Sequence, residues 1–419
     1  MQNNCQRRQM RYTIALLSCA VFFFCGMPAF SQAQKGQPMP KAKVAERVKA
    51  FDTNNDGNIT RDEFNGPAFI FKQIDKNGDG IISAGELSEF AKEKDQMITI
   101  GPPAPSAGGQ KGGAPVGGIP ADVKPLSEMS ATDRYKGEDG GLYGKGQNTP
   151  PKEHLDAALK EAKLIQPLDK DGKSSKDGNV VLISFGMSNT TMEFQKFQQM
   201  IKSLNLSPSL VVVDGAQGGK EATAWATEMK DKKINRTAWE ELARRLEAAG
   251  VSPQQVQVVW MKLAVAGPAK DGEFPAHAKK FQEFVVTCLE KLKSRYPNVR
   301  LVYLSNRIYA GYANTPLNPE PYAYEYAYGI RWVILDQING KPELNCNPEK
   351  GPVKAPLVLW GPDLWANGEK ARKDGLLWAK NDLGADGTHP SDTGREKVAK
   401  QLIDFFQTDP TAKTWFLGK

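Results

Sequence analysis

The sequence predicts an α/β fold, a parallel sheet of about five strands flanked by helices as a three-layer sandwich, with a small all-α unit nearer the N-terminus. Three observations carry this. Five short, nearly unbroken apolar runs recur in the C-terminal two thirds: "NVVLISF" (179–185), "SLVVVDG" (209–215), "VQVVWMKL" (256–263), "VRLVYLS" (299–305) and "APLVLWG" (355–361). Helical stretches such as Thr237 to Ala249 and Pro275 to Arg295 lie between most of them. Ahead of both stands a pair of Asp- and Gly-rich loops, set off by a Gly/Pro-rich stretch. Strands apolar at every position, rather than at alternate ones, are covered on both faces, which is the habit of parallel sheets.

The chain begins with a segment that reads as an address. Arg7, Arg8 and Arg11 form a basic start, "YTIALLSCAVFFFCGMPAF" supplies an apolar run, and Ser31 and Ala33 make a small-x-small cleavage site. Residues 1–33 are therefore expected to be a signal for export, to the periplasm, the cell surface or the medium. The other reading is an uncleaved N-terminal anchor, the sole membrane contact expected. Three of the five cysteines lie in this segment, and the remaining Cys288 and Cys346 are either a disulfide or buried free thiols. With 40% apolar and 25% charged residues, the chain as a whole has the composition of a soluble globular protein. Its net charge of +7 comes partly from scattered lysines, with no dense Lys/Arg tract and no nucleic-acid motif, so no nucleic-acid partner is expected.

The stretch "FDTNNDGNITRDEF" places Asp52, Asn54 and Asp56 at loop positions 1, 3 and 5 and Gly57 at the sharp turn. Asn58 offers its carbonyl, Thr60 takes position 9 and Glu63 is the bidentate carboxylate at position 12. "DKNGDGIISAGE" repeats the scheme 23 positions later with Asp75, Asn77, Asp79, Gly80, Ile81 by its carbonyl, Ser83 and Glu86. A winding loop aims alternate residues inward, and the recurring Asp, Asn and Glu suit a hard cation that prefers oxygen. Both loops fit the EF-hand pattern, so residues 40–97 are expected to be an EF-hand pair binding Ca²⁺, with Ile59 and Ile82 joining the loops as a short β-contact. The helix between them is expected from about Phe64 to Ile74. Residues 98–130, Gly/Pro-rich and free of aromatics as far as Val123, are expected to be a tether, and 131–419 the α/β domain.

In parallel sheets the reactive groups collect beyond the C-terminal ends of the strands. The first strand ends in "FGMSNTT", placing Ser188 in a tight turn after Gly186. The second ends in "DGAQGGKEATAW", where Gly218 and Gly219 expose backbone N–H groups, and the third presents Lys262 in "WMKLA". "DGTHPSDTGREKVAKQLIDFF" supplies Asp386 and His389 just ahead of a last helix, which Ser391 or Asp392 caps and Val398, Leu402 and Phe405 bury. His154 and His277 have no such aspartate and are assigned to the surface.

Taken in order, these blocks resemble the SGNH (GDSL-like) hydrolase superfamily, whose Ser, Asp and His follow this chain order with Asp and His three apart. "GMSNT" looks like the "GQSN" block of sialate O-acetylesterase-like carbohydrate esterases, and "AQGGKEATAW" is similar to their Ala-x-Gly-Gly-Thr…Trp block. The resemblance covers residues 178 to 408 and implies a flavodoxin-like sandwich. It implies Ser188 as nucleophile, His389 as its base and Asp386 as the group that orients the base, with the N–H groups of Ser188 and Gly218 holding the oxyanion. The superfamily's further donor, an Asn or Gln after the third strand, falls on Lys262 here, or comes from Asn189 instead. Met187 stands where the superfamily usually has an Asp. "EPYAYEYAYGIRW" (320–332) reads as core, with Tyr322, Tyr324 and Trp360 as an alternative stacking wall for a sugar.

Two functions of different class follow. One is a secreted serine esterase that removes acyl groups, chiefly acetyl, from a carbohydrate and needs no cofactor for its chemistry. The other is a catalytically weak or inactive glycan-binding module of the same fold, its oxyanion hole spoiled by Lys262.

Overall fold

The computed structural model of the chain describes residues 38–52, 56–60, 63–64, 68–92, 97–99, 118–232 and 234–418. The expected signal segment 1–33 and Asn54 lie outside the described residues. The chain divides into two compact units, 1–110 and 111–419.

In the first unit β1 (Pro38–Pro40) pairs antiparallel with β4 (Met97–Thr99). Between them lie α1 (Lys41–Val48), β2 (Asn58–Thr60), α2 (Ala68–Ile74), β3 (Ile81–Ser83) and α3 (Ala84–Lys92). Ile59 of β2 stands opposite Ile82 of β3, both buried, so the two loops are joined as their eighth positions require. A small apolar core gathers Val44, Val48, Phe51, Ile70, Ile74 and Phe90 beneath them. Gly57 and Gly80 have φ of +82° and +86°, the left-handed conformation that the sixth loop position demands and that an L side chain resists. Of the helix expected from about Phe64 to Ile74, Ala68–Ile74 is described as helix, and residues 65–67 lie outside the described residues.

The second unit is built on one five-stranded parallel sheet, β5 (Val180–Gly186), β6 (Leu210–Val213), β7 (Val256–Lys262), β8 (Leu301–Leu304) and β9 (Leu357–Trp360). Its order is β6-β5-β7-β8-β9 and every pairing is parallel. In a doubly wound sheet of this order the connections leave in opposite directions on either side of the β5/β7 pair, which opens a crevice at their C-terminal ends. The helices are α4 (Lys152–Lys163), α5 (Ser188–Met200), α6 (Ala222–Ala226), α7 (Ala238–Ala248), α8 (Ala276–Arg295), α9 (Tyr322–Ile338), α10 (Asp392–Thr408) and α11 (Lys413–Leu417).

Successive side chains of a strand point to opposite faces, and that period divides the core in two. Val181, Ile183 and Phe185 of β5 join Val259 and Met261 of β7 under α7, α8 and α9. Val180 and Leu182 join Val258 and Trp260 under α4, α5 and α10 on the other face. The register slips between Val181 and Leu182, where β7 carries the extra Gln257, whose amide takes up the backbone N–H and C=O of Gln166. Helix α7 opens with a capping box: Thr237 Oγ1 accepts the N–H of Glu240 at 3.1 Å, and Glu240 returns its carboxylate to the N–H of Thr237 at 2.6 Å.

Two expectations about this unit are corrected. The buried stripe of α10 is Val398, Leu402 and Phe406, while Phe405 is only half-buried, because four-residue steps keep a straight helix on one face better than the step from 402 to 405. The expected tether is also shorter than 98–130. Residues 118–130 lie on the α/β unit, where Leu126 and Met129 are buried, Ser127 donates to Asp363 at 2.5 Å, and the Asn367 amide donates to the carbonyls of Pro120 and Val123. Leu126 and Met129 supply the apolar surface that residues 101–115 lack. Among the described residues no helix is long and apolar enough to cross a membrane.

Candidate active site

The turn after β5 sets the geometry. A Cβ on Gly186 would lie 2.2 Å from the carbonyl oxygen of Lys262 and 2.5 Å from Thr190 Oγ1, so only glycine lets β5 and β7 close behind the nucleophile candidate. Met187 then takes an extended conformation and α5 begins at Ser188. Ser188 does not cap this helix. Its Oγ instead bonds to His389 Nε2 at 2.7 Å. As a residue of the first turn, it also has a backbone N–H with no carbonyl partner inside the helix.

His389 is held from behind. Its Nδ1 lies 2.5 Å from Asp386 Oδ2, and the other carboxylate oxygen of Asp386 accepts the backbone N–H groups of Thr388 and His389, both at 3.0 Å. Burial alone would raise this carboxyl; the bonds from the His389 ring and the two backbone N–H groups outweigh it and hold it down to about 2. An ionised Asp386 accepts from Nδ1–H and leaves Nε2 bare of hydrogen, facing Ser188 as a base. The structure thus brings Ser188, from the turn after β5, and Asp386 and His389, from the loop before α10, into one hydrogen-bonded chain.

The expected oxyanion donors are distributed differently. The Gly218–Gly219 turn is exposed, and Gly219, with φ +72°, lines the same cavity of about 230 Å³ as Ser188 and His389. Asn189 does not offer its amide to the cavity: Nδ2 donates to the carbonyl of Thr388 at 2.9 Å, tying α5 to the loop that carries His389. Lys262 does not reach it either. Its ammonium pairs instead with Glu193 of α5, 2.5 Å from both carboxylate oxygens, and both side chains are fully buried. A buried charge without a partner is too costly to leave pointing at an apolar cavity wall, so the ion pair takes the lysine.

One residue that reading the sequence missed lines this cavity. Arg307, three positions past the end of β8, is 1% exposed, and its Nε and Nη2 have no hydrogen-bond partner. Its position just beyond a strand's C-terminal end was a signal of the kind that exposed Lys262, but nothing in the composition sets it apart among 55 basic residues.

Other candidates fall elsewhere. Tyr324 and Trp360 are core: Tyr324 is fully buried, and Trp360 donates its indole N–H to the Leu142 carbonyl at 2.7 Å, so they form no sugar wall. His154 and His277 are buried rather than on the surface. The first bonds the carbonyl of Val358 at 2.8 Å, and burial pushes its imidazole down; the second bonds Glu325 at 2.7 Å. Cys288 and Cys346 are free thiols, and burial pushes the Cys288 thiol well up.

In the first unit the loop oxygens fold onto their own backbone. Asp52 accepts the N–H groups of Asp56 and Gly57, and Asp75 those of Gly78 and Gly80. Asn77 and Asp79 accept from Asp79 and Ile81. Glu63 bonds Thr60 in the first loop. Glu86 reaches back across its loop to the N–H groups of Lys76, Asn77 and Ser83, and the bond at Ser83 leads in lowering its carboxyl. Among the described residues no three Asp, Glu, His or Cys side chains converge as a cation cluster. The donor set is nevertheless all oxygen, ordered by left-handed glycines, with Glu86 closing over its loop; it fits a hard divalent cation that would replace the N–H groups as partner. Asn58 and Ile81, expected to act through their carbonyls, stand at the start of β2 and β3.

Residues 49–66 and 68–91 match the family described as EF hand. No curated protein matches the chain. Solved structures similar to this chain include a carbohydrate esterase family 3 protein from Talaromyces cellulolyticus, 16% identical with a TM-score of 0.34 over 54% of this chain and 97% of that one. They also include the periplasmic domain of a lipopolysaccharide acetyltransferase from Salmonella ser. Paratyphi A, at 13% and 0.30 over 60% and 94%. A carbohydrate acetylesterase from Xanthomonas citri stands at 11% and 0.30 over 54% and 41%.

Proposed function

We propose that this protein is an exported serine esterase that removes acyl groups, chiefly acetyl, from a carbohydrate, and that its EF-hand pair binds calcium apart from the chemistry. The observation that carries the esterase reading is the bonded chain from Ser188 Oγ to His389 Nε2 and from His389 Nδ1 to Asp386. In the reaction His389 takes the Ser188 proton as Oγ attacks the ester carbonyl carbon. It then returns that proton to the departing alkoxide, and water repeats the sequence on the acyl-enzyme. Asp386 keeps the imidazole in the required tautomer and stabilises the imidazolium.

Carbohydrate as the alcohol half is supported by the sequence blocks around Ser188 and Gly218, and export by the basic and apolar N-terminal segment. The inactive-module reading rested on Lys262 intruding on the oxyanion site; its pairing with Glu193 removes that ground. The test is p-nitrophenyl acetate turnover by the parent and by Ser188→Ala, followed by acetate release from a panel of acetylated polysaccharides. A Ser188→Ala protein as active as the parent sinks the nucleophile assignment. An active parent that frees acetate from none of the polysaccharides sinks the carbohydrate half.

A further inference from the structure

We infer that Arg307 is the side-chain donor of the oxyanion hole, a catalytic role that rests on the esterase reading above. The two side chains that the sequence offers for this task are committed: the Asn189 amide to Thr388, the Lys262 ammonium to Glu193. Asn318, which lines the same cavity, donates its amide to the Val265 carbonyl. Arg307 is what remains. It shares the cavity with Ser188 and His389, is almost completely buried, and leaves Nε–H and Nη2–H, the two donors on one edge of the guanidinium, without a partner.

An unsatisfied pair of buried donors is expensive, and native structures tolerate it where a ligand completes the site. Glu193, Glu320 and Asp386 act on the guanidinium through space, yet none bonds its free edge. Glu320 is engaged with the N–H groups of Ala310, Tyr324 and the Trp365 indole, and Asp386 with His389. Burial pulls the guanidinium down and these carboxylates oppose it, while the guanidinium stays unpaired. Sheet order supplies the reason that β8 can serve a site at the β5/β7 crevice: β8 is the neighbour of β7, and Lys262 at the end of β7 has turned inward.

In the step itself, Ser188 Oγ forms the bond to the carbonyl carbon, its proton passes to His389 Nε2, and the carbonyl π pair moves onto oxygen. The Arg307 guanidinium donates to that oxygen and transfers no proton. When the tetrahedral species collapses the pair returns, the bond to the alcohol oxygen breaks, and His389 gives its proton to the leaving group. A donor aimed at charge that appears only in the transition state raises kcat and leaves KM little altered.

The experiment uses the full chain, with p-nitrophenyl acetate as substrate and benzeneboronic acid as a tetrahedral mimic formed on Ser188. Arg307→Gln and Arg307→Lys, the second retaining the buried charge but not the fork, are expected to lose about 10²–10³-fold in kcat with KM within a few fold. Boronate affinity falls with kcat, and methylguanidinium restores part of the rate to Arg307→Ala. Thermal melts check each fold. An active parent whose Arg307 variants keep kcat within threefold, or lose activity through KM alone, or show no rescue and no loss of boronate binding, overturns this role and leaves the esterase reading standing. A parent that neither turns over the ester nor binds boronate at Ser188 overturns both.

Discussion

The Lys262 ammonium lies 2.5 Å from both carboxylate oxygens of Glu193, and neither side chain is exposed to solvent. Burial pushes the ammonium down to about 8 and the carboxyl up, against the attraction between the two. Breaking such a pair strands one charge in the interior and costs about 3–5 kcal/mol, whereas replacing both partners by apolar groups is close to neutral. Lys262→Met alone and Glu193→Gln alone are therefore each expected to lower the free energy of unfolding by roughly this amount in urea titrations, and Lys262→Met with Glu193→Leu to recover most of it. Additive losses in the double variant would show that the two residues do not act as a pair.

Ser188→Ala and His389→Ala are each expected to reduce kcat on p-nitrophenyl acetate by roughly 10⁴–10⁶-fold, and Asp386→Ala somewhat less. Groups that work in one proton relay fail together, so Ser188→Ala combined with His389→Ala is expected to be little worse than either alone. Steady-state kinetics of the three proteins decide this, and a multiplicative loss would argue against a shared relay.

Asp386 also ties stability to pH. Its folded-state carboxyl is held down to about 2 against an ordinary value near 3.8. A depressed carboxyl contributes stability that is fully present above about pH 4 and is lost as pH falls toward 2. The side chain is about 30% exposed, so solvent screening reduces the contribution to about 1–2 kcal/mol. Unfolding free energies of the parent and Asp386→Asn are expected to differ by this much more at pH 5 than at pH 2.5. Curves that stay parallel over that interval would rule the linkage out.

Calorimetry on the whole protein is expected to find two calcium sites with dissociation constants of about 10⁻⁴ M or somewhat tighter, in the range of extracellular modules. Glu63→Gln with Glu86→Gln removes the position-12 carboxylate from both loops and is expected to abolish both sites. Undiminished binding by that variant would place the ligands elsewhere.

EDTA is expected to leave the rate on p-nitrophenyl acetate within experimental error of the untreated protein. Nothing in the Ser188, His389 and Asp386 relay draws on a cation. A rate that collapses with EDTA and returns with added calcium would bring the EF-hand pair into the chemistry.

The sequence alone determined whatever is written as local pattern. Five apolar runs specified five parallel strands to within two residues at most ends, loop spacing specified the EF-hand positions, and the order Ser188, Asp386, His389 specified three side chains that the fold brings together. The partner each buried polar group takes was decided only by tertiary structure. Lys262 and Asn189 have the right chemistry and stand at the right strand end, but Glu193 and the Thr388 carbonyl, which face them only once α5 packs on the sheet, claim their donors. Burial of His154, His277 and Tyr324 depends likewise on contacts with Val358, Glu325 and Trp365 that lie far away along the chain. Periodicity and spacing record how a residue sits on its own element. The cost of leaving a buried charge or donor unpaired is settled between elements, and so Arg307, which lines the cavity with two of its nitrogens unpartnered, becomes visible only in the folded molecule.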